Sequence, residues 1–263
     1  AGNIFSNVSA GIGDEISTFP DYPAEIRAPQ GTLGGVSGFQ VHIGKGVHTP
    51  GDLADVLVAM NPAALKTNAR YVKKGGVVII DSDSFRASDL EKAAFTTDDP
   101  IQEAGLSHAQ IVPVAITQMV KDSLADSGLD NKSIVRCKNM FALGLVCWLF
   151  DRPLEQAQHL LKNKFAKKPA IYEANAKVMR DGYNYGNNIH ASVSTYRVES
   201  AQVKPGIYTD VNGNTATAWG LIAASEKSGL PLFLGSYPIT PATDILHELA
   251  KRKDLGVKAI QVE

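Results

Sequence analysis

The chain has 263 residues, enough for one large α/β domain or for one domain and part of another. With 26 Lys and Arg against 27 Asp and Glu, its formal charge is −1, so no broad positive field is available to attract a nucleic-acid backbone. Apolar residues at 44% and charged residues at 20% exclude a disordered tail, a collagen and a coiled coil.

In chain order, Ala1-Gly2-Asn3-Ile4-Phe5 has neither the basic leader nor the apolar core of a signal peptide. It reads instead as the middle of a helix with no strand before it. Three β-rich runs follow, at residues 39–43, 55–59 and 77–81. Their near-continuous apolar character suits a parallel sheet covered on both faces. Between the last two, Asn61 is a plausible helix cap with Pro62 at the first helical position, and Lys73-Lys74-Gly75-Gly76 is expected to close that helix. A strand at 110–114 and a helix at 116–123 continue a doubly wound α/β pattern.

From Asn131 to Tyr185 the pattern is helical without strands, with helices expected at 134–150, 153–165 and 168–183. The apolar stretch Met140 to Phe150 is about half of the roughly 20 residues a bilayer span needs, and reads as a buried core helix. Cys137 and Cys147, the only two cysteines, fall in that predicted helix about 15 Å apart. They cannot bridge each other, and they are too few for a disulfide framework or an iron–sulfur ligand set. A reduced, cytoplasmic setting is expected. Residues 187–214, with turns at Pro205-Gly206 and Asn212-Gly213, read as a connection. A second α/β pattern follows: a helix at 216–228 entered from Asn214-Thr215, a strand at 232–235, a helix at 242–252 and a strand at 257–262. The chain is therefore expected to be a piece of a longer protein, clipped at both ends.

Six histidines show no pair at helical ligand spacing, and Cys-x-x-Cys, Gly-x-Ser-x-Gly and a complete Gly-x-Gly-x-x-Gly are all missing from the sequence. Gly31, Gly34, Gly35 and Gly38 precede a strand, whereas a phosphate cradle follows one and opens a helix. A flexible loop over the sheet is the better reading of them. The segment from Phe19 to Gly31 holds Arg27 on a path stiffened by Pro20, Pro23 and Pro29. Arg27 is either a ligand group or a tie to Glu25 or Asp21. Gly235-Ser236-Tyr237-Pro238-Ile239-Thr240-Pro241 follows a predicted strand and leads into a helix, where open α/β sheets bind ligands. The Thr240 hydroxyl projects there from a stiffened turn, and Thr240 before Pro241 equally fits a helix N-cap.

Three segments, Ser17-Thr18-Phe19-Pro20 through Arg27-Ala28-Pro29-Gln30-Gly31, then Gly235 through Pro241, then Gln261-Val262-Glu263, closely resemble the α subunit of 2-oxoacid:acceptor (ferredoxin) oxidoreductases. The variant is the one with a γ domain fused ahead of the thiamine-pyrimidine domain, like 2-oxoglutarate:ferredoxin oxidoreductases. The resemblance covers essentially the whole chain and implies a Rossmann-like γ domain over residues 1–188, a linker over 189–213 and the start of the pyrimidine domain over 214–263. It implies oxidative decarboxylation of a 2-oxoacid, with 2-oxoglutarate expected, to an acyl-CoA, and electrons passed to ferredoxin or a similar acceptor. Thiamine diphosphate would be shared with a β subunit that carries Mg2+ and an iron–sulfur cluster. By the same resemblance, Glu263 would face the aminopyrimidine ring and exchange a proton with a ring nitrogen. Thr240 would hydrogen-bond the 2-oxo oxygen or carboxylate of the substrate, with Tyr237, Pro238 and Ile239 forming the pocket. Two other readings stay open: a non-catalytic docking module contacting coenzyme A or a partner subunit, and a nucleotide-binding dehydrogenase domain, against which the incomplete glycine motif argues.

Overall fold

The computed structural model describes residues 1–21, 36–189, 193 and 195–262. Arg27, Gly31, Gly34, Gly35 and Glu263 therefore lie outside the described residues. The chain divides into two compact units, which meet in sequence between Lys204 and Pro205.

In the first unit, β3 (Ala54–Ala59), β4 (Val72–Asp81) and β5 (Gln110–Val114) form a parallel sheet in the order β3-β4-β5. Side chains alternate between its faces, as a two-residue period requires. Val78 and Ile80 point into one core with Leu65, Leu90 and Leu106, beneath α2 (Pro62–Asn68), α3 (Ala87–Lys92) and α4 (Pro100–Glu103). Val77, Ile79, Val112 and Val114 point into the other, larger core. That core packs α1 (Gly2–Gly11), α5 (Ile116–Ser123), α6 (Asn131–Arg136), α7 (Lys138–Leu149), α8 (Leu154–Lys164) and α9 (Pro169–Ile189). The expectation of a parallel sheet covered on both faces is met. Asn61 caps α2 as expected, its Oδ1 accepting from the Ala64 N–H at 2.8 Å.

Four details differ from the sequence reading. First, residues 38–44 form β2 (Gly38–Gly44), which pairs antiparallel with β1 (Glu15–Asp21) in a separate two-stranded sheet. A parallel neighbour needs a crossover of about a dozen residues or more, and the link from Gly44 to Ala54 is shorter than that. Second, Lys73 to Gly76 do not close α2; they lie inside β4 as a bulge, between the pairs Ala54↔Val72 and Val56↔Val77. Gly75 makes the bulge possible by taking φ 76°, and its N–H donates to the His108 carbonyl at 2.9 Å. Third, the helix expected at 134–150 is two helices, α6 and α7, which meet at Cys137. Cys137 and Cys147 are both buried thiols; burial raises both pKa values, Cys147 to about 12 against the opposing charge of Arg152. Fourth, the helix expected to enter from Asn214-Thr215 is capped earlier, by Asn212.

Beyond Lys138 and Asn139 at its start α7 is apolar on every side, and nine of its residues are buried, so it lies in the interior rather than on the surface. Its contact with α9 is backbone on backbone. A Cβ at Gly144 would strike the carbonyl oxygen of Met179, one at Gly182 the carbonyl of Phe141, and one at Gly186 the ring of Trp148. Among the described residues, no helix is long and apolar enough to cross a membrane.

The second unit contains α10 (Gly213–Ser228), β6 (Phe233–Ser236), α11 (Thr243–Ala250) and β7 (Lys258–Gln261), with β6 and β7 parallel. Leu234 and Ala259 pack with Ala218, Leu249 and Val257 beneath the helices. Phe233 and Ile260, on the other face, are exposed.

These contacts set an asymmetry between two kinds of glycine. Gly182→Ala forces a methyl group into the backbone of α7 and is expected to cost at least about 1–3 kcal/mol. Gly220→Ala in α10, where a Cβ meets nothing within 4 Å, is expected to be neutral or to stabilise by about 0.5–1 kcal/mol. Urea titrations of both variants check this, and a neutral Gly182→Ala would refute the close approach of the two helices.

Candidate functional site

Open α/β sheets bind ligands outside the carboxyl ends of their strands, and each unit has such an edge. In the first unit it is closed from within. Asp81, at the end of β4, is fully buried. Its carboxylate accepts from the Thr117 hydroxyl at 2.7 Å, the Thr117 N–H at 3.2 Å and the Ser84 hydroxyl at 2.8 Å. Lys138 Nζ stands 3.4 Å away. With its oxygens engaged, Asp81 locks β4 to α5 and α7 and presents no free group to a ligand.

In the second unit the corresponding edge is open. The Val262 N–H donates to the Ser236 carbonyl at 3.0 Å, continuing the β6–β7 ladder by one bond. Gln261-Val262 therefore lies beside the end of β6, from which the Tyr237 to Thr240 turn leaves. Tyr237 is 57% and Ile239 46% exposed, and Pro238 and Thr240 are exposed as well.

The turn is fixed on both sides of Thr240. The Thr243 hydroxyl donates to the Ile239 carbonyl at 3.0 Å and accepts from the Ile239 N–H at 2.9 Å, while the Thr243 N–H donates to the same carbonyl at 2.9 Å. On the other side, the Asn214 side-chain amide donates to the Pro241 carbonyl at 2.8 Å. The Thr240–Pro241 peptide is cis. The cap reading of Thr240 is thereby corrected: α11 begins at Thr243, and Thr243 closes the turn with its own hydroxyl. The Thr240 hydroxyl has no hydrogen-bond partner among the described residues. A neutral donor between two pinned residues, beside the N-terminus of α11, has the chemistry to donate to a carbonyl or carboxylate oxygen.

No three His, Cys, Asp or Glu side chains converge as a metal site among the described residues. The sequence reading singled out none of the residues of a concavity of about 400 Å3 in the first unit, lined by Trp148, Asp151, Tyr183, Asn187, Thr195, Tyr196 and Arg197. These residues come from α7, α9 and the segment after them and share no local pattern. The Asp81 cluster was missed for the same reason, since Thr117 and Lys138 are distant in sequence.

The structure separates the stability roles of the two threonines. Thr243→Ala removes the hydroxyl that closes the turn and is expected to cost about 1 kcal/mol, whereas Thr240→Ala leaves stability unchanged. Thermal melts of the two variants decide it; a destabilised Thr240→Ala beside a neutral Thr243→Ala would reverse the assignment.

Comparison with known proteins places these observations. The chain is 46% identical, over 100% of its own length and 40% of the other's, to the 2-oxoglutarate oxidoreductase subunit KorA of Mycobacterium tuberculosis. It thus spans well under half of that relative. Among solved structures it is similar to the 2-oxoglutarate:ferredoxin oxidoreductase from Magnetococcus marinus with 2-oxoglutarate, coenzyme A and succinyl-CoA bound, with a TM-score of 0.71 and 25% identity over 100% of this chain and 40% of that one. Residues 1–185 match the family described as pyruvate ferredoxin/flavodoxin oxidoreductase, and with most of its length so matched the chain belongs to that family of oxidoreductases.

Proposed function

We propose that this chain is the part of a 2-oxoacid:acceptor oxidoreductase α subunit that joins a γ domain, residues 1–188, through a linker, residues 189–213, to the start of a thiamine-pyrimidine domain, residues 214–263. The complete enzyme would decarboxylate a 2-oxoacid oxidatively, 2-oxoglutarate before others, transfer the acyl group to coenzyme A and pass the electrons to ferredoxin or a similar acceptor. The 46% identity to a 2-oxoglutarate oxidoreductase subunit along the whole chain carries this reading. The juxtaposition of the Tyr237–Thr240 turn with Gln261-Val262 supports it, because a substrate and a cofactor ring could be held at one strand edge.

In this reading Glu263 and the turn would hold the pyrimidine side of thiamine diphosphate, with the diphosphate, Mg2+ and iron–sulfur cluster on the β subunit. The hydroxyl and backbone groups at that edge suit a neutral hydrogen-bonding heterocycle. When bound, the cofactor supplies the nucleophilic carbon and the electron sink for decarboxylation. Glu263 would hold a proton at a ring nitrogen of the aminopyrimidine. Thr240 would donate its hydroxyl proton to the 2-oxo oxygen, where negative charge grows as the carbonyl is attacked. Fixing that donor before the substrate arrives removes the reorganisation that a mobile side chain would require. Tyr237, Pro238 and Ile239 would wall the pocket and exclude water.

Kinetics of the complete subunit assembled with its β partner test the role of Thr240. Thr240→Ser keeps the donor and should retain most activity. Thr240→Ala and Thr240→Asn remove or displace it and should lower kcat/KM by roughly tenfold to a thousandfold, about 1.4–4 kcal/mol, with cofactor affinity unchanged. A near-normal kcat/KM in the Asn variant would exclude substrate contact by Thr240.

A further inference from the structure

Three polar side-chain atoms buried in the first unit have no hydrogen-bond partner among the described residues: Ser9 Oγ, Asp14 Oδ1 and Arg152 Nε. The residues that carry them meet at one place in the fold. Arg152 Nη2 and Asp14 Oδ2 form a salt bridge of 2.7 Å, with the two side chains 4% and 0% exposed. Ser9, fully buried, is tied to Asp14 through the Asp14 N–H, which donates to the Ser9 carbonyl at 3.1 Å. The ion pair is thus held by one hydrogen bond, from Nη2 to Oδ2. One guanidinium donor, one carboxylate acceptor and one hydroxyl remain.

Leaving such groups bare in the interior is expensive, and buried polar atoms are almost always satisfied by protein or by ordered water. The chemistry of the three atoms selects the occupant. It must accept a hydrogen bond from Arg152 Nε–H and donate one to Asp14 Oδ1, and it can accept from or donate to the Ser9 hydroxyl. A chloride ion has no proton for the carboxylate. A sodium or ammonium ion has no acceptor for the guanidinium. A neutral amphoteric molecule satisfies all three, and an internal water typically makes about three hydrogen bonds.

We propose that Ser9, Asp14 and Arg152 enclose a structural water molecule that completes the buried ion pair. The site stands at a junction of three chain segments. The Ala201 N–H donates to the carbonyl of Gly13 at 2.8 Å, next to Asp14, and the Tyr196 N–H donates to the carbonyl of Leu149 at 2.7 Å, at the end of α7 just before Arg152. The water therefore sits where α1, the end of α7 and the strap of residues 195–201 are fastened together. Burial pushes the Asp14 carboxyl pKa upward and the Arg152 charge opposes that push; a hydrogen bond from the water to Oδ1 adds to the stabilisation of the ionised form.

A high-resolution crystal structure of the complete subunit tests the site. The expected result is one density peak within hydrogen-bond distance of Ser9 Oγ, Asp14 Oδ1 and Arg152 Nε. A two-bonded Arg152–Asp14 fork without such a peak, or an ion in its place, overturns the proposal. Oxygen-17 relaxation dispersion provides the solution test. The double variant Asp14→Leu, Arg152→Met removes two of the three partners together and leaves no charge unpaired. It should lose one long-lived water relative to the wild type while near-ultraviolet circular dichroism stays native, and an unchanged count would refute the site. If the double variant does not fold, the wild-type crystal structure decides alone.

Discussion

The contact between α7 and α9 is the constraint on which the first unit depends. Helices normally meet through interlocking side chains, with axes about 8–10 Å apart. Here Gly144 and Gly182 leave each backbone open to the other, and Gly186 makes room for Trp148. The close approach lets α7, apolar from Met140 onward, fill the space between the sheet face of Val77, Ile79, Val112 and Val114 and the long helix α9. Tight packing of this kind gains dispersion energy over many small contacts, and a single methyl group in the wrong place disrupts them. The end of α7 then carries Trp148 to the wall of the open concavity and presents the Leu149 carbonyl to Tyr196. Arg152 follows directly and closes on Asp14.

The second unit works by a different economy. Its two strands and two helices bury a small core, and the Tyr237 to Thr240 turn stands exposed at the carboxyl edge of the strand pair. Thr243 and Asn214 hold the backbone on either side of Thr240, and the Thr240 hydroxyl has no partner among the described residues. In the first unit the equivalent edge shows the opposite choice, since the Asp81 carboxylate is consumed by Thr117, Ser84 and Lys138.

Much of this was legible in the sequence where local rules govern. The runs at 55–59, 77–81 and 110–114 form the parallel sheet because each is a near-continuous apolar run between turn signals, and Asn61-Pro62 starts α2 because cap and proline chemistry act within a few residues. Legibility failed where distant partners decide. Gly75 and Gly76 look like a helix terminator, and only pairing with β3 and β5 turns them into a bulge inside a strand. The run at 39–43 has the apolar content of a sheet strand, but its partner is β1, whose end at Pro20 suggested only an extended path. Thr240 before Pro241 fits a cap by spacing, yet Thr243 wins because its hydroxyl reaches both polar groups of Ile239. Asp14 and Arg152 lie 138 residues apart and leave no sequence pattern at all.

The most direct test of the account is an assay of the complete subunit assembled with its β partner and loaded with thiamine diphosphate, Mg2+ and iron–sulfur cluster. Acceptor reduction would be followed across a series of 2-oxoacids with and without coenzyme A. The account predicts turnover that depends on coenzyme A and is fastest with 2-oxoglutarate. An assembled, fully loaded enzyme that reduces no acceptor with any 2-oxoacid would contradict it.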